Sequence, residues 1–214
     1  MRRRSFIKKS LVAYGALAFI VNVSPARAAP VTLLALGDSL TVGYGLPAAE
    51  AFPVQLEAAL KAKGRDVRVV NAGVSGDTSA GGLARLDWAL ADKPQTAIVA
   101  LGANDGLRGL DTNRLRANLD AIIAKLQGAG VKVLLAGMEA PPNLGPEYGQ
   151  AFRAAYTQVA KDRGVALYPF FLDGVAANPA LNQKDGLHPT GAGVAVMVGR
   201  MLPMVEKLLD QVRP

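Results

Sequence analysis

The single histidine of the chain, His188, restricts the chemistry available to it more than any other residue. It occurs in the segment Asp185-Gly186-Leu187-His188-Pro189, and histidine is the side chain whose ordinary pKa lies closest to neutral pH. A carboxylate three residues away could hold one ring nitrogen and leave the other free to act as a general base. A surface histidine beside the start of a helix would give the same motif, so both interpretations stay open.

An imidazole base needs a nucleophile, and only three serines follow residue 28: Ser39, Ser75 and Ser79. Ser39 stands in Gly-Asp-Ser-Leu directly after an apolar run, where Gly37 permits a tight turn and a following helical turn could aim its N–H groups at an anion. Ser75 narrowly fails the GxSxG pattern because position 77 is aspartate. Ser79 is typical of a helix start. Ser39 is therefore the best-placed candidate, although a lone Gly-Asp-Ser-Leu string can also be a turn or a helix cap.

Attack of a serine on a carbonyl also requires hydrogen-bond donors for the oxyanion. Gly73 could present its amide where a larger residue would block close approach. Asn104, in Gly-Ala-Asn-Asp, offers a side-chain amide. Taken alone, each of these segments could simply be a turn.

Five short apolar runs rich in β-branched residues separate these candidates along the chain. They are Val31 to Leu36, Val67 to Val70, Thr96 to Leu101, Val131 to Ala136 and Val165 to Tyr168. The runs are continuous rather than alternating, which predicts buried parallel strands. Ligands of such sheets bind beyond the carboxyl ends of the strands, which is where all the candidate residues fall.

Helical patterns lie between the predicted strands and after the last one. They place Leu56 with Leu60, Leu83 with Leu86 and Leu90, and Leu115 with Leu119, Ile122, Ile123 and Leu126, and they continue from about Glu147 to Arg163 and after Thr190. The first pattern stops at Gly64, Gly128 lies beyond the end of the third, and Pro203 is expected to kink the last. The order is β-α repeated, which predicts an α/β fold: a doubly wound parallel sheet of about five strands in one domain, residues 29–214.

Taken together, the four motifs resemble the blocks of the SGNH or GDSL hydrolase superfamily. Ser39 in Gly-Asp-Ser-Leu, Gly73, Asn104 in Gly-x-Asn-Asp and Asp185-x-x-His188 occur in the order and at the positions of those blocks. Four blocks in register are a far more specific signal than Gly-Asp-Ser-Leu alone.

Further segments are similar to one group within the superfamily, the bacterial multifunctional thioesterases, lysophospholipases and arylesterases. These segments are Ser75 to Thr78, Gly82 to Leu86 and Gly102 to Gly109. The resemblance runs from about Val31 to the final helix.

The resemblance implies a flavodoxin-like three-layer α/β/α fold and a site made of these same residues. Ser39 would be the nucleophile, His188 the base and Asp185 its support. The Ser39 amide, the Gly73 amide and the Asn104 side chain would form the oxyanion hole. No metal, nucleotide or organic cofactor is needed for this chemistry.

The implied substrate is an ester or a lipid, and its acyl group is expected against the loop Gly137 to Leu144, with Met138 and Pro141 as contact residues. In the family a basic residue can stand where this chain has Glu139, so anionic leaving groups such as coenzyme A are less favoured. Small to medium carboxylic esters, including aryl esters, are the leading substrates, with thioesters and lysophospholipids as further candidates. A carbohydrate acetylesterase and a non-catalytic periplasmic binding module are the alternatives.

The chain carries a formal charge of +7, from 24 Lys and Arg against 17 Asp and Glu, but six of those cations and none of the acids lie in residues 1–28. The remaining 18 cations against 17 anions give no support for a nucleic-acid partner. The absence of cysteine excludes disulfides, a thiolate nucleophile and cysteine-bound metal, and the single histidine excludes an HExxH site.

Residues 1–28 have the three parts of an export signal. Arg3 and Arg4 begin a segment similar to the twin-arginine consensus, an apolar stretch of 13 residues from Leu11 to Val23 follows, and Ala26-Arg27-Ala28 is a small-x-small cleavage site. Thirteen residues are too few to span a bilayer, which needs roughly 20. We expect export by the twin-arginine machinery, with an ordinary Sec signal as the alternative, and a mature protein in the periplasm or secreted without a stable membrane span.

Overall fold

A five-stranded parallel sheet forms the centre of the molecule in the computed structural model, which describes residues 29–212. The predicted export signal, residues 1–28, lies outside the described residues. The strands are β1 Val31–Gly37, β2 Val67–Gly73, β3 Thr96–Ala100, β4 Lys132–Ala136 and β5 Ala166–Tyr168. Their order across the sheet is β2-β1-β3-β4-β5, which is the flavodoxin-like order.

The register of the sheet brings the candidate residues to a common edge. Gly37, the last residue of β1, pairs with Gly73 at the end of β2 and with Ala100 at the end of β3. The chain segments that follow β1 and β3, with Ser39 and Asn104, therefore leave the sheet beside Gly73.

Helices cover the sheet and complete a three-layer α/β/α fold. They are α1 Ser39–Val42, α2 Phe52–Ala62, α3 Ser79–Ala84, α4 Leu86–Leu90, α5 Ala103–Leu107, α6 Thr112–Gly128, α7 Pro146–Arg163 and α8 Gly191–Asp210. Helices α2 and α8 pack together on one side, and α6 packs against α3 and α7 on the other. None of the helices within residues 29–212 is both long enough and apolar enough to cross a membrane.

The central strands are buried as predicted, whereas the edge strands are not. All five residues of β3 are buried, and so are all residues of β1 after Val31. In β2, Arg68 is exposed and Val70 is only partly buried, and in β5 Ala166 is exposed. The five predicted strands are thus confirmed as parallel, but β2 and β5 are only partly buried, because an edge strand has a neighbour on one side only.

Helix ends differ from the sequence pattern at two positions. The predicted helix through Leu83, Leu86 and Leu90 is two short helices, α3 and α4, which meet at Arg85. Gly128 is the last residue of α6 rather than the first beyond it. Helix α8 continues through Pro203 to Asp210.

Candidate active site

Ser39 is the first residue of α1, in the tight turn that follows β1. Gly37 is required there, because a Cβ atom at this position would overlap Thr41 Oγ1 and lie 2.9 Å from the Ala100 carbonyl oxygen. Asp38 caps the helix, since its Oδ1 accepts a hydrogen bond of 3.0 Å from the Leu40 amide. The Ser39 amide lies in the first turn of α1, where backbone N–H groups have no intrahelical acceptor.

The histidine loop, residues 183–189, carries His188 to the Ser39 hydroxyl. The distance from His188 Nε2 to Ser39 Oγ is 3.0 Å, and that from His188 Nδ1 to Asp185 Oδ2 is 2.6 Å. Both distances are those of hydrogen bonds. The structure thus brings together Ser39, His188 and Asp185 in the order that a serine hydrolase requires.

Asp185 is held in its charged form by the loop that contains it. Its Oδ1 accepts hydrogen bonds from the His188 amide at 3.0 Å and the Leu187 amide at 2.9 Å. These backbone bonds, the His188 amide first, and the hydrogen bond from the imidazole lower the pKa of Asp185 to about 2. The carboxylate therefore stays ionised at neutral pH and can accept the Nδ1 proton.

Gln183 connects the histidine loop to the chain beyond α1. Its amide donates to the His188 carbonyl at 2.7 Å, and its Nε2 donates to the carbonyls of Tyr44 at 2.8 Å and Pro189 at 2.9 Å. The Tyr44 ring lies against the imidazole, with 4.6 Å between ring centroids. Neither contact of Tyr44 was predicted from the sequence, because Tyr44 is far along the chain from both Gln183 and His188.

Asn104 projects from α5, next to the end of β3. Its Nδ2 donates one hydrogen bond of 2.9 Å to the Asp77 carbonyl and lies 3.5 Å from Asp38 Oδ2. A primary amide has two N–H groups. One is fixed by the Asp77 carbonyl, and the other makes a long bond to Asp38 Oδ2 that an oxyanion would have to replace.

The structure gives Gly73 a different reason to be glycine from the one predicted. A Cβ atom there would overlap the Val42 amide nitrogen and lie 2.9 Å from the Asp38 carbonyl oxygen, so the residue packs against the backbone of α1. Its amide donates to Asn71 Oδ1 at 3.0 Å. The Asn71 side chain would have to release this amide before Gly73 could bind an oxyanion.

Asp38 is the other carboxylate of the site, and it is almost completely buried, with 1% of its surface exposed. Burial raises the pKa of Asp38 to about 6, although the hydrogen bond from the Leu40 amide and the positive field of His188 act in the opposite direction. This carboxyl is thus half-protonated near pH 6 and mostly ionised at neutral pH.

Neither of the other two serines contacts His188. Ser75 is exposed in the turn after β2. Ser79 is fully buried, and both its amide and its hydroxyl donate to Asp105, at 2.7 and 2.6 Å. The hydroxyl of Ser79 is thus engaged in the anchor that holds α3 against α5.

A cleft of about 350 Å³ opens beside Ser39, His188 and Asn104. Met138 and Pro141 line it. Glu139 is also part of the wall, and its Oε2 lies 4.0 Å from Arg153 Nη1. The remaining wall includes residues that the sequence did not single out: Leu40, Leu107, Phe170, Leu172, Ala176 and Leu187.

Comparison with known proteins identifies the class of protein. Residues 35–196 match the model of the GDSL-like Lipase/Acylhydrolase family. The chain belongs to this family, also called the SGNH hydrolases, and is a carboxylic ester hydrolase. A non-catalytic binding module therefore has no support.

Among individual proteins, the chain is similar to three bacterial esterases. It is 42% identical over 202 residues to Esterase TesA of Pseudomonas aeruginosa, covering 94% of this chain and 100% of the relative. It is 40% identical to the Arylesterase of Vibrio mimicus, covering 78% and 84% of the two chains. It is 41% identical to Thioesterase 1/protease 1/lysophospholipase L1 of Escherichia coli K12, covering 90% and 91%. A crystal structure of TesA superimposes with a TM-score of 0.80 at 44% identity, over 83% of this chain and 99% of that one.

Proposed function

We propose that this protein is an exported serine esterase that hydrolyses small to medium carboxylic esters through Ser39, His188 and Asp185. The observation that carries the proposal is the continuous pair of hydrogen-bond distances, 3.0 Å from Ser39 Oγ to His188 Nε2 and 2.6 Å from His188 Nδ1 to Asp185 Oδ2.

In the first step, His188 Nε2 accepts the Ser39 proton while Ser39 Oγ attacks the ester carbonyl. The charge that develops on the imidazole is stabilised by Asp185, which the loop keeps ionised. The tetrahedral intermediate then expels the alcohol, which leaves with the proton from His188. The product that remains is an acyl-enzyme on Ser39.

In the second step, water takes the place of the alcohol. His188 accepts a proton from a water molecule as the water oxygen attacks the acyl carbonyl. The same proton returns to Ser39 Oγ when the carboxylic acid leaves. The cycle consumes one ester and one water and yields one alcohol and one acid.

The oxyanion of both steps is assigned to the Ser39 amide, the Gly73 amide and the second N–H of Asn104. The Asn104 side chain is supported by its bond to the Asp77 carbonyl. The Gly73 amide joins only after Asn71 Oδ1 has released it. Preorganised donors of this kind contribute most to the rate when water is excluded from the site.

The lining of the cleft supports an apolar acyl group of modest size. Leu107, Met138, Phe170 and Leu172 face the same space. Glu139 stands in the wall beside Arg153, so the pair offers no net positive charge to attract an anionic group such as coenzyme A or a phospholipid head group. Aryl and alkyl esters remain the preferred substrates, with thioesters and lysophospholipids as further candidates; the relatives are named esterase, arylesterase and thioesterase/lysophospholipase.

Export is proposed on the sequence of residues 1–28, followed by one hydrolase domain over residues 29–214. Expression of the full chain with a lysine pair in place of Arg3 and Arg4 tests the route. Loss of export with Arg3→Lys and Arg4→Lys is expected for the twin-arginine pathway, and unchanged export would assign the chain to the Sec pathway.

Labelling with a fluorophosphonate tests the nucleophile. The mature protein should be labelled stoichiometrically, Ser39→Ala should abolish labelling, and Ser75→Ala, which changes an exposed serine in a neighbouring loop, should leave it intact. Labelling that survives Ser39→Ala would refute the assignment.

Substrate class is tested with p-nitrophenyl esters of increasing acyl length beside acetylated sugars. We expect the highest kcat/KM on short to medium acyl chains. Activity confined to acetylated sugars would instead assign the chain as a carbohydrate acetylesterase.

A further inference from the structure

Arg85 lies at the junction of α3 and α4, within the segment Gly82 to Leu86 to which the proposed mechanism gives no role. Its side chain is 18% exposed, as is that of Asp77. The guanidinium makes two bonds in two directions. Nε donates to Asp77 Oδ2 at 2.6 Å, and Nη2 donates to the Gly37 carbonyl at 2.8 Å.

Each of these bonds reaches a different half of the active site. Gly37 ends β1 two residues before Ser39, and its carbonyl also accepts from the Val74 amide at 3.1 Å. Asp77 offers its own carbonyl to Asn104 Nδ2 at 2.9 Å. Arg85 therefore lies in an unbroken chain of hydrogen bonds from the nucleophile turn to the oxyanion donor.

We propose that Arg85 and Asp77 are a positioning pair that fixes the Asn104 amide relative to Ser39 for the transition state of ester hydrolysis. The inference rests on the proposed function, because it assumes that Ser39 and Asn104 act together. Neither residue of the pair touches the substrate. Their effect is exerted through the Gly37 carbonyl on one side and the Asp77 carbonyl on the other.

The chemistry of the pair explains why arginine is needed. A guanidinium presents several donors in a rigid plane, so it can bind a carboxylate and a backbone carbonyl together, whereas a lysine ammonium is a single flexible point charge. The Asp77 carboxylate also lies close to the backbone of Gly81, where an added Cβ atom would be only 2.7 Å from Asp77 Oδ1. Arg85→Lys should therefore keep the charge and lose one of the two bonds.

Arg65 supplies a matched control. It is 17% exposed and bonds Asp210 Oδ1 at 2.7 Å, but it precedes the amino end of β2, at the opposite end of the strand from Gly73. Arg65→Lys alters an arginine of similar burial whose ion pair, with the more exposed Asp210, has no connection to the site. It should leave kcat and KM unchanged.

The experiment compares Arg85→Lys, Asp77→Asn and the double variant with Arg65→Lys on one p-nitrophenyl ester. We expect kcat to fall on the order of 10- to 100-fold in each single variant with KM changed less than about threefold, since small misplacements of catalytic groups act on the transition state. The double variant should lose little more than the worse single variant, because both changes break one network.

A boronic acid inhibitor separates positioning from general structural support. Its tetrahedral adduct with Ser39 mimics the oxyanion, so its affinity should fall by the same factor as kcat/KM, while affinity for the carboxylic acid product stays constant. Unchanged kcat in Arg85→Lys and Asp77→Asn, or equal loss of both affinities, would overturn the inference. If Arg85→Lys does not fold, the same kinetic and affinity measurements on Asp77→Asn test the inference.

Failure of this inference can be told apart from failure of the proposed function. If Ser39→Ala keeps its activity, the proposed function fails. If Ser39→Ala is inactive while both variants of the pair behave like Arg65→Lys, only the positioning role fails.

Discussion

The nucleophile turn, residues 37–42, and the histidine loop, residues 183–189, each place one aspartate beside the reacting groups, and the two aspartates are opposite in character. Asp38 is 1% exposed and burial raises its pKa to about 6. The Asp185 side chain is 39% exposed, and hydrogen bonds lower its pKa to about 2.

The difference shows that the role of a carboxylate is decided by its surroundings. Asp185 accepts three hydrogen bonds within its own loop, so its charge is stabilised where His188 needs it. Asp38 accepts from the Leu40 amide but is almost completely buried, and this burial disfavours its charged form. Asp185 is therefore suited to stabilise an imidazolium, and Asp38 is suited to cap α1.

The largest expected effect comes from removing His188, the general base that the histidine loop carries. His188→Ala should lower kcat on the order of 10⁵- to 10⁶-fold, since loss of the base leaves the nucleophile inactive. Esterase assays at a fixed substrate concentration, with and without added imidazole, measure this. Activity within tenfold of the unaltered protein would contradict the assignment of His188, because no other histidine exists in the chain.

The aspartate of the same loop should matter less. Asp185→Asn leaves the shape in place but removes the charge that supports the imidazolium, and we expect kcat to fall about 10³- to 10⁴-fold. Asp173→Asn, which alters an exposed ion pair with Arg200, serves as the control. Equal effects of the two substitutions would remove Asp185 from the triad.

An intermediate effect is expected at the oxyanion donor beside the nucleophile turn. Asn104→Ala should lower kcat about 100- to 1,000-fold, because one preorganised donor to the oxyanion is lost. Steady-state kinetics should place the loss in kcat rather than in KM. Asn113→Ala, an exposed asparagine at the start of α6, should have no effect, and a loss confined to KM would contradict the oxyanion role.

The smallest effect, on stability, sharpens the contrast between the two aspartates. The pKa of Asp38 is raised on folding, so the folded state binds the proton more tightly and its stability falls as the pH rises from about 4 to above 6. Asp38→Asn removes the free-energy cost of ionising a buried carboxyl, and the asparagine side-chain oxygen can still cap α1. Relative to the unaltered protein, the variant should gain up to about 3 kcal/mol between pH 4 and pH 8.

Urea unfolding at several pH values measures that gain, and Asp185→Asn provides the comparison of opposite sign. The pKa of Asp185 is lowered on folding, so its contribution to stability is present above about pH 4 and is lost as the pH falls towards 2. A stability difference at Asp38→Asn that does not vary with pH would contradict the burial argument.

The sequence predicted the sheet well because its signals are local. Continuous apolar runs gave β1, β3, β4 and β5 to within one residue, whereas β2 extends three residues beyond the predicted Val70. The break at Arg85 could not be predicted in this way, since Leu83, Leu86 and Leu90 satisfy one helical period. Its cause is tertiary, because the guanidinium turns towards Asp77 and the Gly37 carbonyl.

The site was predicted unevenly for the same reason. Met138 and Pro141 line the cleft, but the wall formed by Phe170 and Leu172 carries no sequence motif. The bond between the Gly73 amide and Asn71 Oδ1 was likewise invisible, although the two residues are close in sequence. Strand periodicity fixes which face a residue occupies and not which side chain turns back to its neighbour.

By itself, the sequence determined the family, the order of strands and helices, and the small set of residues able to perform acyl chemistry. One histidine, three serines after residue 28 and no cysteine leave few alternatives. Tertiary structure alone decided the 3.0 Å approach of Ser39 to the imidazole and the opposite pKa shifts of Asp38 and Asp185. Those properties depend on distances and burial between residues about 150 positions apart, and chain folding sets these through packing rather than through local pattern.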